Sequence, residues 1–219
     1  MKTIFKTFFL VFALLITVQV IAQPDFNATK ILAEQGYASA QYNLGLMYAN
    51  GDGVAENDQE AVRWYKLAAE QGDADAQHNL GLMYENGDGV AENDQEAIRW
   101  YKLAAEQGDA DAQHNLGLMY ENGDGVAEND QEAVRWFRLA AEQGNASAQF
   151  NLGVMYANGQ GVVQNIVRAY VWFSVAAAQG YEDGRTNRDI VSGILTAEDF
   201  SQGQAQATRC FDSNFKDCD

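Results

Sequence analysis

The sequence predicts an all-α protein, an elongated solenoid of stacked two-helix units rather than one globular core. Three observations predict it. Glycines 36, 72, 108, 144 and 180 mark a period of 36 residues with no insertion. Within a period, apolar residues return at helical steps, as Ala76, Leu80 and Tyr84 do on one face. Segments such as Gly87-Asp88-Gly89 divide each period, because glycine accepts the left-handed turn that ends a helix. A unit this small cannot bury its apolar face alone, so it stacks on its neighbours.

Residues 1–22 stand outside the array. Lys2 and Lys6 precede a mostly apolar run, Phe8–Ile21, and Val20-Ile21-Ala22 offers a cleavage point. The segment reads as a signal peptide, with the mature chain starting at Gln23 and exported to the periplasm or beyond. As an uncleaved anchor it would be short for a span of roughly 20 residues, and Thr17 and Gln19 interrupt it. No membrane insertion is expected after cleavage. Losing Lys2 and Lys6 takes the formal charge from -17 to -19. A surface this acidic excludes nucleic acid, whose binding rests on Lys and Arg neutralising phosphates.

Residues 23–36 read as a lone second helix capping the stack, since Lys30–Gly36 aligns with Lys66–Gly72. Four units follow, 37–72, 73–108, 109–144 and 145–180. The second and third differ only at Ile98/Val134, Tyr101/Phe137 and Lys102/Arg138. In the second, helix A is expected over about Ala74–Asn86. Helix B is expected over about Gln95–Gln107, capped by Asp94. Gly81 inside helix A costs about 1 kcal/mol against alanine, which implies close approach of a neighbouring helix.

The run A-x-x-x-L-G-x-x-Y-x-x-G-x-G-V, followed by A-x-x-W-[YF]-x-x-A-A-x-x-G, resembles the Sel1-like repeat, a relative of the tetratricopeptide repeat. The diverged fourth copy keeps Leu152, Gly153, Tyr156, Gly159, Gly161, Val162, Ala169, Trp172, Ala176 and Ala177. It departs at the helix-B cap, where Ile166 stands for the aspartate and Asn165 is the substitute. The resemblance implies a right-handed α-solenoid acting as an adaptor in envelope assembly, signalling or host contact; the residues themselves offer no Ser–His–Asp set and signal no enzyme. A cysteine-rich branch of the family is associated with hydrolysis of β-lactam or peptidoglycan substrates. These repeats contain no cysteine, which counts against that activity.

On helix B of the first unit, Gln59, Arg63, Lys66 and Glu70 form a polar stripe. In the fourth unit it becomes Val167, Val171, Ser174 and Ala178. Something covers that stripe, either the C-terminal segment or a second copy in a homodimer through Val167 and Val171. The segment 181–219 reads as a helical cap, with Thr196-x-x-Asp199 as a capping box. Cys210 and Cys218 would lie about 12 Å apart on a continuous helix. A break at Asp212-Ser213-Asn214 lets them pair, as expected of an exported chain; a redox pair or metal site is the alternative.

Other chemistry is weakly signalled, and no cofactor or metal is assigned. His78 and His114 share one repeat position with Tyr42 and Phe150, so a two-His site is conceivable, but only Asp75 and Asp111 are near in sequence. Asn86-Gly87-Asp88-Gly89 fails the calcium-loop pattern, since Tyr84 and Gln95 fall at ligand positions. Trp64, Trp100, Trp136 and Trp172 are either core or a polysaccharide-stacking row, the latter making the protein a cell-wall binder.

The candidate partner-binding stripe lies opposite the core face of helix A. It comprises Asp75, His78, Asn79, Leu82 and Glu85, with Asp111, His114, Asn115, Leu118 and Glu121 in the next unit. The outer units place Ser39, Tyr42, Asn43, Leu46 and Ala49, and Ser147, Phe150, Asn151, Val154 and Ala157. By resemblance to tetratricopeptide solenoids, this stripe lines the concave groove. It contains no Lys or Arg, so the expected occupant is a protein or peptide segment with a basic centre and apolar ends.

Overall fold

The computed structural model describes residues 25–218, and the signal peptide expected at residues 1–22 lies outside them. Among the described residues there are helices and no strand. A single helix, α1 (Phe26–Glu34), precedes four pairs: α2 (Ala38–Asn50) with α3 (Asp58–Ala69), α4 (Ala74–Asn86) with α5 (Asp94–Glu106), α6 (Ala110–Asn122) with α7 (Asp130–Ala141), and α8 (Ala146–Asn158) with α9 (Ile166–Ala178). Two more, α10 (Glu182–Ser192) and α11 (Ala197–Asp212), close the chain. Each helix packs on the next along the array, except that α11 returns to α9.

The second helix of each pair corrects the expected cap. Asn93, not Asp94, is the N-cap of α5, its side chain accepting from the Glu96 N–H at 3.2 Å. Asp94 is the first helical residue, where its charge favours the helix dipole. Asn165 caps α9 in the same way through Arg168 N–H at 3.0 Å. The fourth copy therefore does not depart from the pattern at its cap.

The hydrophobic clusters straddle the repeat boundaries, which is why one unit cannot stand alone. One gathers Ala97, Tyr101, Ala104 and Ala105 of α5, Ala112, Leu116 and Met119 of α6, and Trp136 of α7. Alanines on the helix B faces let the next pair approach closely. The four tryptophans are core: Trp64, Trp100, Trp136 and Trp172 expose 6, 3, 5 and 1 %. They cannot stack on a sugar. The helix-A glycine is also explained: a Cβ on Gly81 would sit 2.6 Å from the Tyr101 ring of the paired helix.

A second device joins the repeats. Buried Gln41, Gln77, Gln113 and Gln149 each donate Nε2 to the carbonyl of Ala33, Ala69, Ala105 or Ala141 on the preceding repeat's second helix, at 3.0–3.2 Å. Each also accepts, at Oε1, the amide of the glutamine closing its own second helix, Gln71, Gln107, Gln143 or Gln179. A buried amide satisfied on both sides fixes the register of neighbouring units.

The C-terminal segment covers the altered stripe of the fourth repeat. Gly203 of α11 seats on the Tyr170 ring, and Tyr170 meets Phe200 edge-on at 5.4 Å between centroids. Val171 is fully buried and Val167 half-buried. Of the two expected covers, the C-terminal segment is the one in place, rather than a second copy laid on Val167 and Val171. After α11, Asn214 and Phe215 adopt φ of 54° and 67° and turn the chain back. Cys218 then pairs with Cys210 across a Cα–Cα distance of 4.4 Å.

Candidate partner-binding face

The expected stripe lies on the first helices of the four pairs, where equivalent residues recur in register. Asp75 and Asp111 are exposed, as is Asn43, while Glu85 and Glu121 are half-buried. Tyr42, His78, His114 and Phe150 are also half-buried, as are Asn79, Asn115 and Asn151. No Lys or Arg occurs on α2, α4, α6 or α8. Every basic residue of the repeats, Arg63, Lys66, Arg99, Lys102, Arg135, Arg138 and Arg168, lies on a second helix.

The aromatic and asparagine positions are joined across repeat boundaries. Asn79 Nδ2 donates to the Tyr42 hydroxyl at 3.4 Å. Asn115 Nδ2 faces His78 Nε2 at 3.2 Å, and Asn151 Nδ2 faces His114 Nε2 at 3.1 Å. With the amide donating, the imidazole keeps its proton on Nδ1 and its Nε2 lone pair is occupied. Each ring also packs against an aromatic of its own pair, His78 on Tyr101 and His114 on Phe137 at 5.8 and 5.9 Å. At the end of the row Phe150 packs on Tyr181 at 5.3 Å. These residues form an inter-repeat ladder, and the carboxylates of Asp75, Glu85, Asp111 and Glu121 lie on the same helices. Among the described residues, no group of three or more His, Cys, Asp or Glu is placed to hold a metal.

The two inner carboxylates differ. Glu85 accepts the Tyr101 hydroxyl at 2.5 Å. In the next repeat Phe137 replaces that tyrosine, and burial, then the neighbouring Asp130 charge, raise the Glu121 carboxyl above the usual range. Burial raises the Tyr101 phenol as well, with Glu85 adding to it. His114 is pulled below the ordinary histidine value by burial, against the opposing effects of Asn115 and Asp111.

The sequence reading missed the glutamine ladder. Its signal was present, since all four helix A copies carry Gln after alanine and every complete pair ends in Gln-Gly. A glutamine reads as a solvent residue, however, unless its partner carbonyl is known.

Two-helix units stacked through shared clusters and amide ladders, with a cation-free face along one side, define an α-solenoid repeat protein. The chain belongs to the Sel1 repeat family, which matches residues 38–73, 74–109, 110–145 and 146–181. Proteins of this family generally mediate protein–protein interaction and are typically non-enzymatic scaffolds. A Sel1 repeat protein from Oxalobacter formigenes is 34 % identical over 86 % of this chain and 74 % of its own, with a TM-score of 0.70. The protective antigen c5321 of uropathogenic Escherichia coli, which displays an SLR fold, is 32 % identical over 87 % of this chain, with a TM-score of 0.55. This chain spans 50 % of that protein's length. No curated protein matches the chain.

Proposed function

We propose that this is an exported adaptor whose helix A face holds a partner segment with a basic centre and apolar ends. The observation that carries it is the distribution of charge on that face. Asp75, Asp111, Glu85 and Glu121 occupy the two middle repeats, and no cation shares their helices. The outer repeats offer Leu46 with Ala49 and Val154 with Ala157 at the same positions. Opposed charge would set encounter rate and register, and apolar contacts at the ends would add area. The ladder residues Tyr42, Asn79, His78, Asn115, His114, Asn151 and Phe150 give the face its rigidity and its floor.

Export fits the rest of the molecule. A disulfide, and the absence among the described residues of a helix long and apolar enough to cross a membrane, are compatible with a secreted or periplasmic protein. In this reading residues 1–22 are removed, 23–36 and 181–219 close the two ends, and the four units between them act without a cofactor. The test is a set of synthetic peptides with leucine-rich ends and a lysine, glutamine or glutamate centre. The lysine peptide should bind, and raised salt should weaken it. Equal affinity for all three would refute the charge reading.

A further inference from the structure

The C-terminal helix is attached to the array in a way that permits exchange between molecules. It is self-contained at both ends. At its start, Thr196 and Asp199 cap each other, with Asp199 N–H to Thr196 Oγ1 at 3.1 Å and Thr196 Oγ1–H to Asp199 Oδ2 at 2.7 Å. At its end, Cys210 bonds to Cys218 of the helix's own tail, and Gln206 Nε2 donates to the Cys218 carbonyl at 3.0 Å. The disulfide therefore makes no covalent tie between α11 and the repeats, to which Cys210 and Cys218 are joined only by packing in a shared buried cluster. Its main helix neighbour is α9, against which Gly203 and Phe200 pack on Tyr170. Phe215 of the tail also reaches Gly144.

Only residues 193–196 connect this module to α10. Two large apolar side chains flank that connection in solvent, Ile190 at 63 % exposure and Ile194 at 69 %. Elsewhere on this face of the array apolar residues find a neighbour: Leu46, Leu82 and Leu118, at the position Ile190 holds on α10, all pack into clusters with the next repeat.

We propose that two copies of this chain exchange α11, each docking its C-terminal helix on the other's α9 and burying Ile190 and Ile194 where the two connections meet. The exchanged interface is the one already built within a single chain, so the dimer needs no new complementary surface. Its only new contact is at the hinge. Exchange of an identical element is a low-cost route to a symmetric pair, and concentration sets its population.

The test refolds the full mature chain at high and at low protein concentration and separates monomer from dimer by size with light scattering. Val167→Cys with Gln202→Cys places one thiol on α9 and one on α11 at a shared cavity of about 410 Å³. A flexible bis-maleimide joins them, since the native cysteines are already paired. Ser174→Cys with Gln204→Cys, at a second shared cavity, repeats the measurement should the first pair fail to fold. The expected result is links within one chain in the monomer fraction and covalent dimers on denaturing gels from the dimer fraction. Ile190→Glu with Ile194→Glu should deplete the dimer and spare the monomer. A monomer at every concentration, or a dimer whose links stay within each chain, would overturn the proposal.

Discussion

Replacing Gln113 with leucine tests the amide ladder that sets repeat register. Gln113 exposes 4 % of its surface and makes two hydrogen bonds, to the Ala105 carbonyl at 3.0 Å and from Gln143 at 2.8 Å. Leucine has similar volume, so no cavity opens. The Ala105 carbonyl keeps the Gly108 N–H at 3.1 Å, and the exposed Gln143 amide reaches water. The loss is then two net hydrogen bonds without a full orphan penalty, about 1–2 kcal/mol. For a chain of this size that lowers the melting temperature by about 2–8 °C. Circular dichroism melts read the loss, and hydrogen exchange should locate faster opening at the junction of α5 and α6. Gln143→Leu, which leaves the buried Gln113 Oε1 without its donor, should cost at least as much. A Gln113→Leu protein that melts at or above the wild type would refute the claim that the ladder is structural.

Trp136→Ala should cost about 3–5 kcal/mol, because the ring fills the cluster between the second and third repeats; an unchanged denaturant midpoint would contradict its burial. Exchanging the second-repeat and third-repeat residues gives opposite signs. Tyr101→Phe strips Glu85 of its donor and should destabilise, whereas Phe137→Tyr supplies one to Glu121 and should stabilise, each by about 0.5–1.5 kcal/mol in thermal melts. His114 gives a pH signature. Burial holds its folded pKa below the roughly 6.5 of an unfolded histidine, so the unfolded chain takes up the proton first as pH falls. Stability present above that value is lost below it, and His114→Phe, copying Phe150, should flatten that part of the profile.

Much of this fold was legible because the repeat states each rule four times. The 36-residue period, the apolar steps and the glycine breaks placed the helices to within a residue or two. The covered stripe was legible too, since Arg63 becoming Val171 makes no sense in water; that α11 covers it needed the structure. The cap was misplaced because Asn93 and Asp94 are adjacent and both can cap, and only the Asn93 side chain reaches the Glu96 N–H. The helix A stripe was harder. Sequence spacing put Tyr42, His78, His114 and Phe150 on the face opposite Leu80, but it could not show that Asn79, Asn115 and Asn151 reach back to the preceding copy. Such contacts run between residues 37 apart and depend on the angle between repeats.

The central claim is that the carboxylates of the middle repeats hold a basic segment. The direct measurement is calorimetric titration of the lysine-centred, leucine-ended peptide into the wild type and into a variant carrying Asp75→Asn, Asp111→Asn, Glu85→Gln and Glu121→Gln. The two proteins should share a circular dichroism spectrum. The account predicts at least tenfold weaker binding to the variant, about 1.4 kcal/mol, with its salt dependence largely abolished. Equal affinity for both proteins at low and high salt would contradict it.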